Sequence, residues 1–183
     1  MDFGRGSRSE VARELPGDGL LPKARVTTRA ITIRARPEHV WPWIVQLGYG
    51  RAGWYSHDWI DNDGRPSADR IVPEAQQLEV GDRILLAPDM GPPVLEIVPN
   101  RFLLAGDRYG GTFCFALFPH DEGTRMLSRT RTHWKPSLAT LFWIAVVDPG
   151  AFVMERRMLL GLKARAERRP AAPARPPRKP ARD

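Results

Sequence analysis

The sequence predicts an α+β fold: a curved antiparallel sheet of about six to seven strands wrapped around a long C-terminal helix, with two short helices after the first strand. Three observations predict it. A β-branched run, Arg25 to Arg34, is followed directly by a pattern with helical spacing. Short strand-like runs separated by turn residues fill the stretch from Arg83 to Trp134. A long amphipathic pattern from Pro149 to Arg168 then closes the ordered part.

The 183 residues, 42% of them hydrophobic, suit one globular domain with loose ends. A single cysteine, Cys114, excludes an internal disulfide framework and a cysteine-based zinc site. The polar start MDFGRGSRSEVARE lacks the apolar core of a secretory signal, so a cytoplasmic protein is expected. The apolar stretch Leu138–Val147 is about half the length that spans a bilayer, and Asp148-Pro149-Gly150 ends it. The net charge of +7 is concentrated from Lys163 onward, where eight basic residues face two acidic ones. A basic run confined to one end reads as a solvated tail, so no specific nucleic-acid partner is expected. Weak contact of the tail with an acidic surface remains open.

Three segments follow from composition. Residues 1–22 read as a flexible lead-in: the first 14 or so are loose, and the turn-rich run from Glu14 to Ala24 is placed to lie along the domain through Leu20 and Leu21. Residues 23–168 form the domain. Residues 169–183 hold five prolines in fifteen positions and no large apolar side chain, so they read as a disordered basic tail.

In the first strand Val26, Thr28, Ala30 and Thr32 alternate with Thr27, Arg29, Ile31 and Ile33. Pro37 suits the first turn of the next helix, where Val40, Trp43, Ile44 and Leu47 share a face; Pro42 lacks a donor and Gly48 ends the run. Ser56 is placed to cap a second short helix carrying Trp59 and Ile60. The meander is expected over Arg83–Ala87, Val94–Val98, Arg101–Gly106, Thr112–Phe118 and Thr124–Trp134. In its last strand Arg125, Leu127, Arg129 and Arg131 share one face, assigned outward because unpaired guanidiniums in an apolar interior are costly; Ser128, Thr130 and Thr132 then face inward. On the C-terminal helix, with Asp148 as its cap, Ala151, Phe152, Met154, Met158, Leu159, Leu162 and Ala166 form one apolar arc with Glu155 near its middle.

The element order, with RAITIRARPEHVWPWIVQLGYGRAGWYSHDWIDN, RIVPEAQQLEVGDRI and FVMERRMLLGLKARAER, resembles the SRPBCC superfamily, in particular its bacterial polyketide cyclase/dehydrase-like branch. The resemblance covers about 140 residues, Thr28 to Arg168. The superfamily also includes START lipid-binding domains and birch-pollen-allergen proteins. The resemblance implies a helix-grip fold with a deep apolar cavity between sheet and C-terminal helix. Its functions range from carriers to cyclases on one scaffold, so fold alone leaves activity open.

Gly48-Tyr49-Gly50-Arg51-Ala52-Gly53 matches a dinucleotide fingerprint, but it leaves a helix and opens no βαβ unit, so it reads as a chain reversal. The cluster Tyr49, Trp54, Tyr55, His57, Asp58, Trp59 and Asp61 is either lining for a flat ligand or an anchor for the short helix. Trp43, Tyr49, Trp54, Tyr55, Trp59, Phe113, Phe115, Met154, Glu155 and Met158 are the candidate ligand-binding residues. Tyr55, His57 and Glu155 are the candidates for acid/base chemistry, with Tyr49 a further one. His39, His57, His120 and His133 lack metal-ligand spacing, so neither metal nor cofactor is expected. An inward Glu155 demands a partner, such as Arg108, Arg51 or an aromatic donor.

The leading expectation is a monomeric or homodimeric domain that binds a small apolar or aromatic molecule. A polyketide cyclase or dehydratase is the first alternative. A membrane-surface or protein-interaction module using Leu138–Val147 and the tail is the second.

Overall fold

The computed structural model describes residues 3–107, 109–133 and 148–168. The strands are β1 (Phe3–Arg5), β2 (Arg25–Ile33), β3 (Val94–Val98), β4 (Phe102–Asp107), β5 (Gly111–His120) and β6 (Gly123–Thr132). The helices are α1 (Arg8–Ala12), α2 (Pro37–Val45), α3 (Asp58–Asp61) and α4 (Asp148–Ala166). The strands form one antiparallel sheet in the order β1-β2-β6-β5-β4-β3. The α+β class and the helix-grip arrangement are therefore as expected, with six strands.

Alternation along each strand sorts side chains onto two faces. Ile31, Ile33, Leu103, Phe115, Leu117 and Met126 join Leu159 and Leu162 of α4 in the main core. Ala30, Leu104, Cys114, Ala116 and Leu127 form a second, smaller core on the other face with Leu15. Burial pushes the Cys114 thiol up to about 12, so it is an inert thiol at neutral pH. In α2, Pro37 occupies the first turn and Val40, Trp41, Trp43, Ile44 and Val45 are buried despite Pro42. The carbonyl of Pro42 accepts instead from Gln76 Nε2 at 3.2 Å.

The largest departure from expectation is the lead-in. Residues 3–22 are docked: β1 adds an edge strand beside β2, Ser7 and Glu10 cap α1 reciprocally, and Leu15 and Leu21 are buried while Leu20 is exposed. The cause is the arginine face of β6, which points outward as predicted but is covered. Arg129 is 3% exposed and donates to Asp18 Oδ2 (2.6 Å), Thr28 Oγ1 (3.0 Å) and the carbonyls of Glu10, Val11 and Arg13. Arg131 bonds Asp18 and Leu21 O, and Arg125 bonds Glu10. Three guanidiniums fold the N-terminal segment onto the sheet because its carboxylates and free carbonyls satisfy them.

Three smaller expectations are also corrected. Arg83–Ala87 is not a strand: it makes only isolated bridges, Arg83 with Pro93 and Ala87 with Met90. Pro92 and Pro93 have no amide to donate, so a ladder cannot extend there. The residue before α3 is His57, without a side-chain cap, while the Ser56 hydroxyl donates to Met154 O at 3.0 Å. Finally, α4 buries only Met158, Leu159, Leu162 and Ala166, whereas Ala151 and Phe152, also placed on the apolar arc, are exposed. The apolar stretch Leu138–Val147, Trp134, Arg108 and the tail 169–183 lie outside the described residues.

Candidate functional site

The inner face of the sheet changes character along its length. Register sets Ile31, Met126 and Leu117 side by side across β2, β6 and β5, all buried. The next inward row runs Arg29, Ser128, Phe115 and Leu103. The row beyond runs Thr27, Thr130, Phe113 and Ala105, and in it Thr27, Thr130 and Phe113 are only half-buried. Apolar packing therefore gives way to a polar, aromatic and solvent-reached surface.

Helix α4 follows the same gradient. Its C-terminal half packs on the apolar rows through Leu159 and Leu162. Its N-terminal half faces the polar rows through ion pairs, Asp148 with Arg25 and Glu155 with Arg29. Glu155 Oε2 accepts from Arg29 Nε at 2.5 Å, and Oε1 accepts from Ser128 Oγ at 2.7 Å. The Arg29 guanidinium also lies 4.5 Å from the Phe152 ring centroid, a cation–π distance. The Arg29 and Glu155 side chains keep 17% and 19% exposure, so the pair is not sealed from solvent.

Glu155 thus points inward as the helical arc predicted, but its partner is Arg29, not Arg51 or Arg108. Arg51 is spent elsewhere, donating to Val45 O and Ala75 O. Arg29 was legible in the sequence, since an arginine alternating in phase with Ile31 and Ile33 has to face inward.

The aromatic candidates separate into groups. Trp43 and Tyr55 pack edge-on with ring centroids 6.0 Å apart inside the core, and Trp54, Phe115 and Met158 are buried with them. Trp54 Nε1 donates to Leu85 O. The Tyr55 hydroxyl donates to Trp43 O at 3.1 Å and accepts from Gln46 Nε2 at 2.8 Å. Burial raises the Tyr55 phenol far above its ordinary range, so it holds its proton at any physiological pH. Tyr49 bonds Asp63 through its hydroxyl at the surface, and Trp59 is 76% exposed on α3. Phe113 and Phe115, with centroids 5.3 Å apart, are the candidates that share the sheet face with Ser128. Met154 is half-buried on α4, beside Ser56, and His57 is half-buried before α3.

The fold has solved counterparts. A Chromobacterium violaceum protein superposes with a TM-score of 0.51 at 15% identity, covering 79% of this chain and 99% of its own. A Rhodobacter sphaeroides protein gives 0.50 at 15% identity, covering 89% and 96%. A Corynebacterium glutamicum protein described as Polyketide_cyc-like is 18% identical over 80% of this chain, with a TM-score of 0.35. No family model matches the chain, and no curated protein matches it. The likeness is one of fold.

The Gly48–Gly53 segment closes on itself by a bridge between those two glycines, confirming chain reversal. Gly53 has φ +78°, and a Cβ there would stand 2.3 Å from Ser67 Oγ. Among the described residues no group of His, Cys, Asp and Glu is placed to hold a metal ion, and no helix is long and apolar enough to cross a membrane.

Proposed function

We propose that the protein binds one small apolar or aromatic molecule between the inner face of the sheet and the N-terminal half of α4, as a carrier or sensor. The observation that carries this reading is the inward, doubly hydrogen-bonded Glu155 beside the half-buried surface of Thr27, Thr130 and Phe113. Phe113 and Phe152 supply flat apolar contact, and the Glu155–Arg29–Ser128 cluster supplies a polar anchor for one ligand oxygen.

Binding without turnover is favoured over a cyclase because the two inward acid/base candidates, Tyr55 and Glu155, are already engaged, and His57 lines a different flank of α4. The Tyr55 phenol is locked between Trp43 and Gln46, and both Glu155 oxygens hold protein partners. Native mass spectrometry of the full chain purified from its own host tests the proposal. A retained organic molecule at one per chain, lost in Phe113→Asp, is the expected result. A chain carrying nothing and binding no neutral apolar probe would contradict it.

A further inference from the structure

A concavity lies on a flank of α4 away from the Glu155 side. There the loop Tyr55–Asp58 and Ser67 face Val153, Arg156, Arg157, Leu160, Gly161 and Arg165 across a cleft of about 540 Å³. Helical spacing puts Arg157 on the side opposite Glu155, so this space is separate from the sheet-side surface.

The cleft is built rather than incidental. A Cβ on Gly161 would stand 2.3 Å from Tyr55 O, so only glycine lets helix and loop approach this closely. Arg165 lies with its guanidinium 4.4 Å from the Tyr55 ring centroid and donates to the carbonyls of Ala68, Gly161 and Ser67. Arg157 Nε donates to Ser56 O at 3.2 Å. Asp58, the acidic residue of the lining, spends its oxygens on Ser67 N and Oγ. Among the described residues neither Arg157 nor Arg165 has a carboxylate at ion-pair distance. Desolvation works against the charge of Arg165, which adds to the positive, counterion-poor character of the lining.

We propose that this cleft takes a small soluble organic anion, its carboxylate or phosphate head between Arg157 and His57 and its short apolar body against Val153 and Leu160. Arginine matches such heads bidentately, and both apolar side chains are partly open to solvent.

Amide NMR titration of the full chain with phenyl phosphate tests this, with benzyl alcohol as the neutral counterpart. Saturable shifts at His57, Ser67 and Gly161, at one ligand per chain, are expected, with no saturation by benzyl alcohol. Arg157→Gln should weaken binding by about tenfold or more. Val153→Asp, at a position 53% exposed and outside the core, should weaken it with the fold intact. Equal response to benzyl alcohol, saturable shifts at Ser128 and Phe113 instead, or undiminished affinity in both variants would overturn the proposal. Co-sedimentation with phosphatidate vesicles without phenyl phosphate binding would overturn it too, by moving the anion to a membrane.

Discussion

Arg29 and Glu155 meet across the interior, Nε to Oε2 at 2.5 Å, one from the first long strand and one from the last helix, 126 positions apart. With Ser128 on the second oxygen, this contact fixes the N-terminal half of α4 over the sheet where no buried apolar side chain does. Glu155→Gln keeps the shape and removes the charge, leaving a half-buried guanidinium without its counterion. A loss of about 1–3 kcal/mol in chemical denaturation is expected. Arg29→Gln should cost a similar amount, and the double variant less than the two together. Unchanged stability in both single variants would remove the brace.

Deleting residues 1–22 is expected to destabilise the domain severely, because Arg129 would keep its buried position and lose four of its partners. Stranding a buried charge costs about 3–5 kcal/mol. The gentler Asp18→Asn, which weakens contacts to both Arg129 and Arg131, should cost about 1–3 kcal/mol. A truncated chain with the full-length melting temperature would mean that the segment is not docked.

The Glu10–Arg125 pair of the same docked segment predicts acid sensitivity. The hydrogen bond from Arg125 holds the Glu10 carboxyl down at about 2, against an ordinary 4.5. A carboxylate with a lowered folded value stabilises the fold above its unfolded value and loses that contribution as pH falls toward the folded one. Stability should therefore fall between pH 4.5 and about 2 more steeply in the native chain than in Glu10→Gln. Screening at this partly exposed site keeps the difference near about 1 kcal/mol. Identical acid profiles for the two proteins would contradict the Glu10–Arg125 pair.

Gly161→Ala sets propensity against packing. Alanine is favoured over glycine inside a helix by about 1 kcal/mol. Here the new methyl would collide with the Tyr55 carbonyl, and a net loss of about 1–3 kcal/mol is expected. A stabilised variant would show that α4 and the Tyr55 loop are farther apart.

Much of this was readable in the sequence because period-two alternation is strong in β2, β5 and β6. It assigned Phe113, Phe115 and Leu117 to one face, Cys114 and Ala116 to the other, and the β6 arginines outward. The helical arc turned Glu155 inward. What it missed depends on contacts between distant segments. Residues 3–22 carry little apolar surface, so composition reads them as loose, and their docking comes from carbonyls and two carboxylates meeting three arginines more than a hundred positions away. The aromatic cluster at 49–59 was legible as a cluster but not as core or surface, since Tyr55 and Trp59 differ only in which way a short, irregular segment turns.

The central claim, one apolar ligand on the sheet side of α4, is tested most directly by titrating the full chain with the neutral dye N-phenyl-1-naphthylamine while following backbone amides by NMR. Saturation at one dye per chain is predicted, with shifts concentrated at Thr27, Phe113, Ser128 and Thr130, and with weaker binding in Phe113→Asp. Absence of saturable binding, or shifts spread over the surface and unaffected by Phe113→Asp, would contradict it.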